Sequence, residues 1–361
     1  MKAELCEECG VPLYITNTHR WLESGAIVLA GQERSRPYFM ECENIDPILA
    51  TVESIIGLPV EHVVIATDRR GVKTYLKGII PEEVRKGLER REIDWQPINQ
   101  GLWQVARLSG IGLYELVDFR HEGDDQDFIT ERVKNPFSIP VICGTTTAAI
   151  EILFAREMGV SYQREEGGSI LITCRPSPHP EEYRERLMVK PYVHRGGSVE
   201  LRRCASCGGP AALSDCRWDL DMGVIRHTKT GRRISILSPV MEVVLEELEG
   251  ELGEEIPRAV VEAQRRYTRE GFYSFHEIVD EENVREQFAW RGLGELSELR
   301  MGRKGVRMTL RSAGLSLLVV GMAQGLFEQA FQVESTVDWE LDEEGTLRVE
   351  VLPVEHKISV P

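Results

Sequence analysis

The stretch VKNPFSIPVICGTTTAAIEILFAREMGVSYQREEGGSILITCRP, residues 133–176, returns 177 positions later as LRSAGLSLLVVGMAQGLFEQAFQVESTVDWELDEEGTLRVEVLP, residues 310–353. The two align without a gap. Gly144 falls on Gly321, Glu151 on Glu328, Phe154 on Phe331, Val160 on Val337, Glu166 on Glu343, Gly168 on Gly345 and Pro176 on Pro353. Tyr162 meets Trp339, another aromatic, and Asn135 meets Ser312, both short and polar. Self-similarity at a fixed offset is the mark of an internal repeat.

Toward the N-terminus the match continues at a slightly larger offset. Cys6-x-x-Cys9-Gly10-x-Pro12 answers to Cys204-x-x-Cys207-Gly208-x-Pro210, His19-Arg20-Trp21 to Cys216-Arg217-Trp218, and Arg36 to Arg233. Pro47 precedes an apolar pattern at Leu49, Val52, Ile55 and Ile56, and Pro239 precedes one at Met241, Val244, Leu245 and Leu248. Proline in a first turn followed by that period predicts a helix start. Arg69-Arg70 meets Arg265-Arg266, and Gly110-Ile111-Gly112 meets Gly292-Leu293-Gly294.

The reading is therefore α+β: two repeated α/β-plait units related by a pseudo-two-fold axis, each beginning with a zinc-knuckle hairpin. Residues 1–176 form the first repeat, 177–203 a Pro/Gly-rich linker with one short charged helix near 181–188, and 204–361 the second, diverged repeat. Each unit runs in one order: knuckle and hairpin, two or three helices, a Gly-x-Gly turn, and a strand at 113–120 or 296–301. A second strand is expected near 138–143 or 315–320, then a helix over 145–158 or 322–333. A closing hairpin over 160–174 or 337–352 turns at Glu165–Gly168 or Asp342–Gly345. The units pair within one chain or as a homodimer.

Composition bounds the function classes. A formal net charge of −16 repels phosphate backbones, so nucleic acid is not an expected partner. No run reaches the ~18 apolar residues of a membrane helix, and Met1-Lys2-Ala3-Glu4 leads directly into the first knuckle. These features predict a cytoplasmic protein with eight reduced cysteines and no membrane partner.

CxxC followed by Gly suits zinc, since two thiolates grip one cation and the Gly relieves the backbone as it turns toward the sulfurs. Two geometries are open. In one, each repeat has its own site, from Cys6, Cys9 and His19 and from Cys204, Cys207 and Cys216, with Cys42 and His227 as unaligned candidates for a fourth ligand. His and Cys replace one another at the aligned position, and both are zinc ligands. In the other, Cys6, Cys9, Cys204 and Cys207 share one ion. Either zinc is structural, because no water-activating pattern accompanies it. No Gly-x-Ser-x-Gly, Walker A loop or HExxH is present, so the chain reads as a binding protein more than as an enzyme. Thr145–Thr147 after Gly144 read as hydroxyls at a helix N-terminus, a candidate anion site or a cap.

From Val133-Lys134-Asn135-Pro136-Phe137-Ser138 through Gly144, Glu151 and Glu166, with Gly110-Ile111-Gly112 and Glu115-Leu116 upstream, the chain resembles the 4-vinyl reductase or hydrocarbon-binding domain family. The resemblance covers about 65 residues of the first repeat and, more weakly, residues 292–353. It implies a small α+β plait, usually dimeric, around a pocket for an apolar or aromatic molecule, used in sensors and occasionally in tetrapyrrole metabolism. Members often bind zinc through a Glu and cysteines of the closing hairpin. Here that hairpin holds Cys174 alone, and Val351 replaces it in the second repeat.

The expected function is binding or sensing of a small hydrophobic molecule, with structural zinc and a protein partner to receive the signal. The alternatives are an enzyme or chaperone handling a tetrapyrrole-like cofactor, and a zinc-stabilised interaction scaffold. The first repeat keeps the polar features, so Asn135, Cys143, Thr145 and Tyr162 are the expected ligand-binding residues.

Overall fold

Pro97, Pro140 and Pro257 each stand at one of the first two positions of a helix, where a missing N–H costs nothing and a fixed φ favours the turn. The computed structural model describes residues 3–33, 35–179, 192–271 and 281–354. Its element order opens with α1 (Leu13–Thr18), β1 (His19–Trp21), β2 (Ile27–Leu29) and β3 (Tyr38–Glu41). Four helices follow: α2 (Ile45–Ile56), α3 (Glu61–Ile79), α4 (Glu82–Glu89) and α5 (Gln96–Leu108). Then come β4 (Leu113–Arg120), β5 (Phe128–Lys134), α6 (Ile139–Leu153), β6 (Met158–Arg164) and β7 (Ile170–Pro176).

Past residue 203 a 3-10 helix (Ala211–Asp215) precedes β8 (Cys216–Asp219), β9 (Val224–His227) and β10 (Arg233–Leu237). Helices α7 (Val240–Leu252), α8 (Ile256–Arg269) and α9 (Glu281–Trp290) come next. The chain continues through β11 (Glu295–Gly302), β12 (Gly305–Arg311), α10 (Ser316–Phe331), β13 (Ser335–Leu341) and β14 (Leu347–Pro353). The class is α+β with antiparallel sheets. The helix expected near 181–188 lies outside the described residues.

Two four-stranded sheets share one strand order, β4-β5-β7-β6 and β11-β12-β14-β13. Each carries one long helix on its apolar face, α6 or α10, and that helix packs on α3 or α8. The helix pairs approach closely because Gly144 and Gly321 sit at the crossings. A Cβ at Gly144 would lie 2.7 Å from the Ile65 carbonyl oxygen, and one at Gly321 would strike the Val261 carbonyl oxygen.

The two parts of the chain interlock. Helix α2 packs on α8 and α7 packs on α3. Strand β3 joins β10 in a third sheet, β3-β10-β9-β8, with Tyr38 opposite Leu237 and Glu41 opposite Ile234. One apolar core therefore runs from Val64, Val72, Ile142 and Ile150 across to Met241, Val244, Leu248 and Val260.

Reciprocal hydrogen bonds tie the same junction. Trp21 Nε1 donates to the Trp290 carbonyl at 2.8 Å, and Trp218 Nε1 to the Leu108 carbonyl at 2.9 Å. Arg36 donates to the Ser312 carbonyl at 2.5 Å, and Arg233 to the Asn135 carbonyl at 2.6 Å. Asn135 and Ser312 both have positive φ, 52° and 46°.

The strand expected near 138–143, with its counterpart near 315–320, is instead the first part of a helix. Pro140 starts α6, and the Asp46 carboxylate accepts from the Ile139 N–H at 3.2 Å. At α10, Glu242 accepts from the Leu315 N–H at 2.7 Å. An apolar run of that length fits a buried strand or a buried helix equally well, so periodicity could not decide. The open sheet position is filled by β5 and β12.

Candidate metal centre and ligand cavity

Each CxxC sits in a tight loop closed by its own backbone. Cys6 N–H donates to the Val11 carbonyl at 2.8 Å and Gly10 N–H to the Cys6 carbonyl at 2.9 Å. The second loop repeats this, with Cys204 N–H on the Gly209 carbonyl at 2.8 Å and Gly208 N–H on the Cys204 carbonyl at 3.0 Å. Gly10 and Gly208 take φ of 72° and 70°, a region that strains residues with a Cβ.

The two loops face one another. Cys6 Sγ lies 3.7 Å from Cys204 Sγ, Cys9 Sγ lies 3.5 Å from Cys207 Sγ, and all four sulfurs fall within 4.8 Å of each other. A disulfide would require about 2.05 Å. Four sulfurs at about 2.3 Å from a tetrahedral ion are about 3.8 Å apart, so the cluster has the size of a metal cage. The backbone N–H of Cys9, donating toward the Cys6 sulfur, brings that thiol down to about 7, while burial raises Cys9. A neighbour supports the cage: the Glu8 carboxylate reaches the other loop, accepting from Ser206 Oγ at 2.7 Å and Ser206 N–H at 3.0 Å.

His19 and Cys216 are not brought to this cluster. His19 Nδ1 lies 3.1 Å from the Ile15 carbonyl and 3.0 Å from Thr18 Oγ1, with its ring beside Trp21 and Phe39. Burial lowers its pKa to about 4. Cys216 sits in an apolar cluster with Trp218 and Trp290, and burial raises its thiol to about 12. Cys42 accepts from Ser235 Oγ at 3.3 Å, and His227 Nδ1 lies 3.1 Å from Thr230 Oγ1. No protein-family model and no curated protein matches the chain.

Of the four expected ligand-binding residues, three converge on α3. Thr145 Oγ1 donates to Asp68 Oδ2 at 2.7 Å, Tyr162 O–H donates to Glu61 Oε2 at 3.0 Å, and Cys143 is buried between them. Asn135 stands apart, donating from Nδ2 to the Met222 carbonyl at 3.0 Å. Thr145–Thr147 lie in the middle of α6, so their hydroxyls do not cap it. Thr147 bonds back to the Cys143 carbonyl at 2.6 Å and Thr146 donates to Tyr114 O–H at 3.4 Å. The side of α3 that meets α6 and β6 thus carries polar groups bonded to one another. Among the buried carboxyls of the first half, Asp68 and Glu131 are both pushed up to about 7 by desolvation.

The second half contains open space. A cavity of about 720 Å³ lies between β11, β12, α9 and α10, lined by Phe288, Met301, Met308, Met322, Leu326 and Phe331 among others. A second, of about 330 Å³, adjoins it and reaches Phe39 and Glu41 of β3 and His227 of β9. Val284, Phe288, Val319 and Met322 line both. None of Asn135, Cys143, Thr145 and Tyr162 lines either one. Sequence reading passed over these residues because apolar positions on a helix give the same pattern whether they face packed atoms or a void. The one available signal was Met322 replacing Thr145 at the aligned position.

Proposed function

We propose that the chain is a binding protein for a small apolar or aromatic molecule, built from two diverged copies of one unit locked together by a shared structural zinc. The observation that carries the ligand reading is the cavity of about 720 Å³ behind α10, a size typical of small-molecule sites. Three of its lining residues are methionines, whose flexible thioethers adapt to varied apolar shapes. The resemblance to the hydrocarbon-binding family points the same way.

The duplication reading is supported by contacts that recur at the sequence offsets. Arg69 meets Glu151 as Arg265 meets Glu328, both at 3.0 Å, and each carboxylate also accepts the N–H that opens the next strand, from Met158 or Ser335. A pseudo-two-fold axis would bring the two knuckles together, and one shared ion completes four ligands without further residues. Zinc suits four thiolates, and with no open position it would act in structure alone.

The test is elemental analysis of protein purified without chelator, followed by titration with pyrene, whose fluorescence reports an apolar site. One zinc per chain and saturable 1:1 pyrene binding are expected. Two zincs per chain would defeat the shared site, and absence of saturable binding would defeat the ligand reading.

A further inference from the structure

The smaller cavity differs from the larger one in its polar wall. Glu41 and Arg291 form a nearly buried ion pair at 2.7 Å on one side. Gln264, 1% exposed, lies on the other. Its Nε2 donates to Thr268 Oγ1 at 2.9 Å, and its Oε1 accepts no hydrogen bond among the described residues. The first half fills the equivalent position differently. Asp68 occupies the position that aligns with Gln264, and its carboxylate takes the Thr145 hydroxyl at 2.7 Å. The position aligned with Thr145 is Met322, whose thioether cannot donate. The second half has kept an acceptor and lost its donor, and Met322 lines both cavities.

We infer that the two cavities are one site for an uncharged amphiphile, whose apolar body fills the larger cavity and whose hydroxyl-type head donates to Gln264 Oε1 in the smaller. This rests on the reading of the larger cavity as a ligand site. Gln264 lines the cavity and its Oε1 is open to a donor there, so a ligand O–H supplies the bond that Thr145 makes in the first half. A charged head is disfavoured because Glu41 and Arg291 already neutralise one another, and a further ion would be desolvated without a counter-charge.

The experiment compares four fluorescent probes with one body: pyrene, 1-pyrenemethanol, 1-pyrenecarboxylate and 1-pyrenemethylammonium, titrated into the full chain at pH 7.5. Pyrenemethanol is expected to bind about tenfold tighter than pyrene, the effect of one buried hydrogen bond, and tighter than both ions. In Gln264→Leu, pyrenemethanol should fall to the affinity of pyrene, with pyrene itself unchanged. Met322→Trp, which fills the shared wall, should weaken both. Equal affinities of pyrene and pyrenemethanol for the wild-type chain would overturn the head-group assignment and leave the cavity reading standing. So would preference for either ion, and none of these outcomes depends on a variant folding. Loss of only one probe in Met322→Trp would overturn the continuity of the two cavities. If no probe binds, the cavity reading itself falls.

Discussion

Arg69 and Glu151 form a buried ion pair, with Arg69 Nη1 shared between the two carboxylate oxygens at 3.0 and 3.1 Å and the Glu151 side chain wholly out of solvent. Lys73 at 2.6 Å, His179 at 2.5 Å and the Met158 N–H at 3.1 Å complete its shell. Burial alone would raise this carboxyl, but His179, Arg69 and Lys73 outweigh it and hold the pKa at about 2. The pair pins the end of α6 and the start of β6 to α3.

Breaking one side of this arrangement strands the other charges. Glu151→Leu should cost about 3–5 kcal/mol, as when one partner of a buried pair is removed. Glu328→Leu should be comparable, since Glu328 holds Arg265 at 3.0 Å and Ser335 Oγ at 2.8 Å. Urea denaturation of the two variants measures this. A loss below about 1 kcal/mol in both would mean that the carboxylates do not organise the junction.

The two zinc geometries make opposite predictions for two variants, Cys216→Ala and His19→Gln, while Cys204→Ser and Cys9→Ser test the cluster itself. Cys204→Ser and Cys9→Ser should lose bound metal and lower the melting temperature, because each removes one of the four clustered sulfurs. Cys216→Ala and His19→Gln should retain full metal content, since neither group reaches the cluster. Metal analysis by mass spectrometry decides. Zinc loss in a folded Cys216→Ala would restore the scheme of one site per repeat.

The close helix crossings should tolerate no side chain. Gly144→Ala places a methyl against the Ile65 carbonyl and the Asp68 side chain, 2.7 and 2.8 Å away. Gly321→Ala meets the Val261 carbonyl and the Gln264 side chain. Each should destabilise by about 1–3 kcal/mol as the helices are forced apart. Gly78→Ala, with open space at the same atom, should be stabilising by about 0.5–1 kcal/mol through helix propensity. Thermal melts of the three proteins rank them.

Asp68 and Glu131 imply a pH dependence of known sign. Both hold their proton more tightly in the fold, near 7, than at their ordinary values of 3.8 and 4.5. Between those limits the native state binds more protons, so these groups make stability fall as pH rises from about 4 toward 7. His19 opposes them from about 4 up to its ordinary 6.5, because it is neutral in the fold and protonated when unfolded. Asp68→Asn with Glu131→Gln should therefore leave a stability that rises with pH over this window more than the wild type does. Identical pH profiles in chemical denaturation would contradict the assigned protonation of both carboxyls.

How much of this was legible in the sequence differs by level. The CxxC pairs, the Gly-x-Gly turns with φ of 70° and 151° at Gly110 and Gly112, and the closing hairpins follow from local chemistry, since metal spacing and positive φ restrict which residues serve. The sequence by itself also determined the paired carboxylates Glu151 and Glu328, through their identical offset. It could not determine that residues 139–143 are helical, because a buried helix and a buried strand present the same apolar run.

Only the tertiary structure decided which cysteines meet. His19 and Cys216 are as good ligands chemically as Cys6 and Cys204, but β1 and β8 carry them into an aromatic cluster while the two loops bring their four sulfurs within 4.8 Å. Only the tertiary structure, too, placed open space in the second half. Met322 and Gln264 read as ordinary core positions, and the void between them depends on how far α9 and α10 stand from the sheet. Ligand spacing is local and can be read along a chain. Distance between elements distant in sequence is set by the sum of all their contacts.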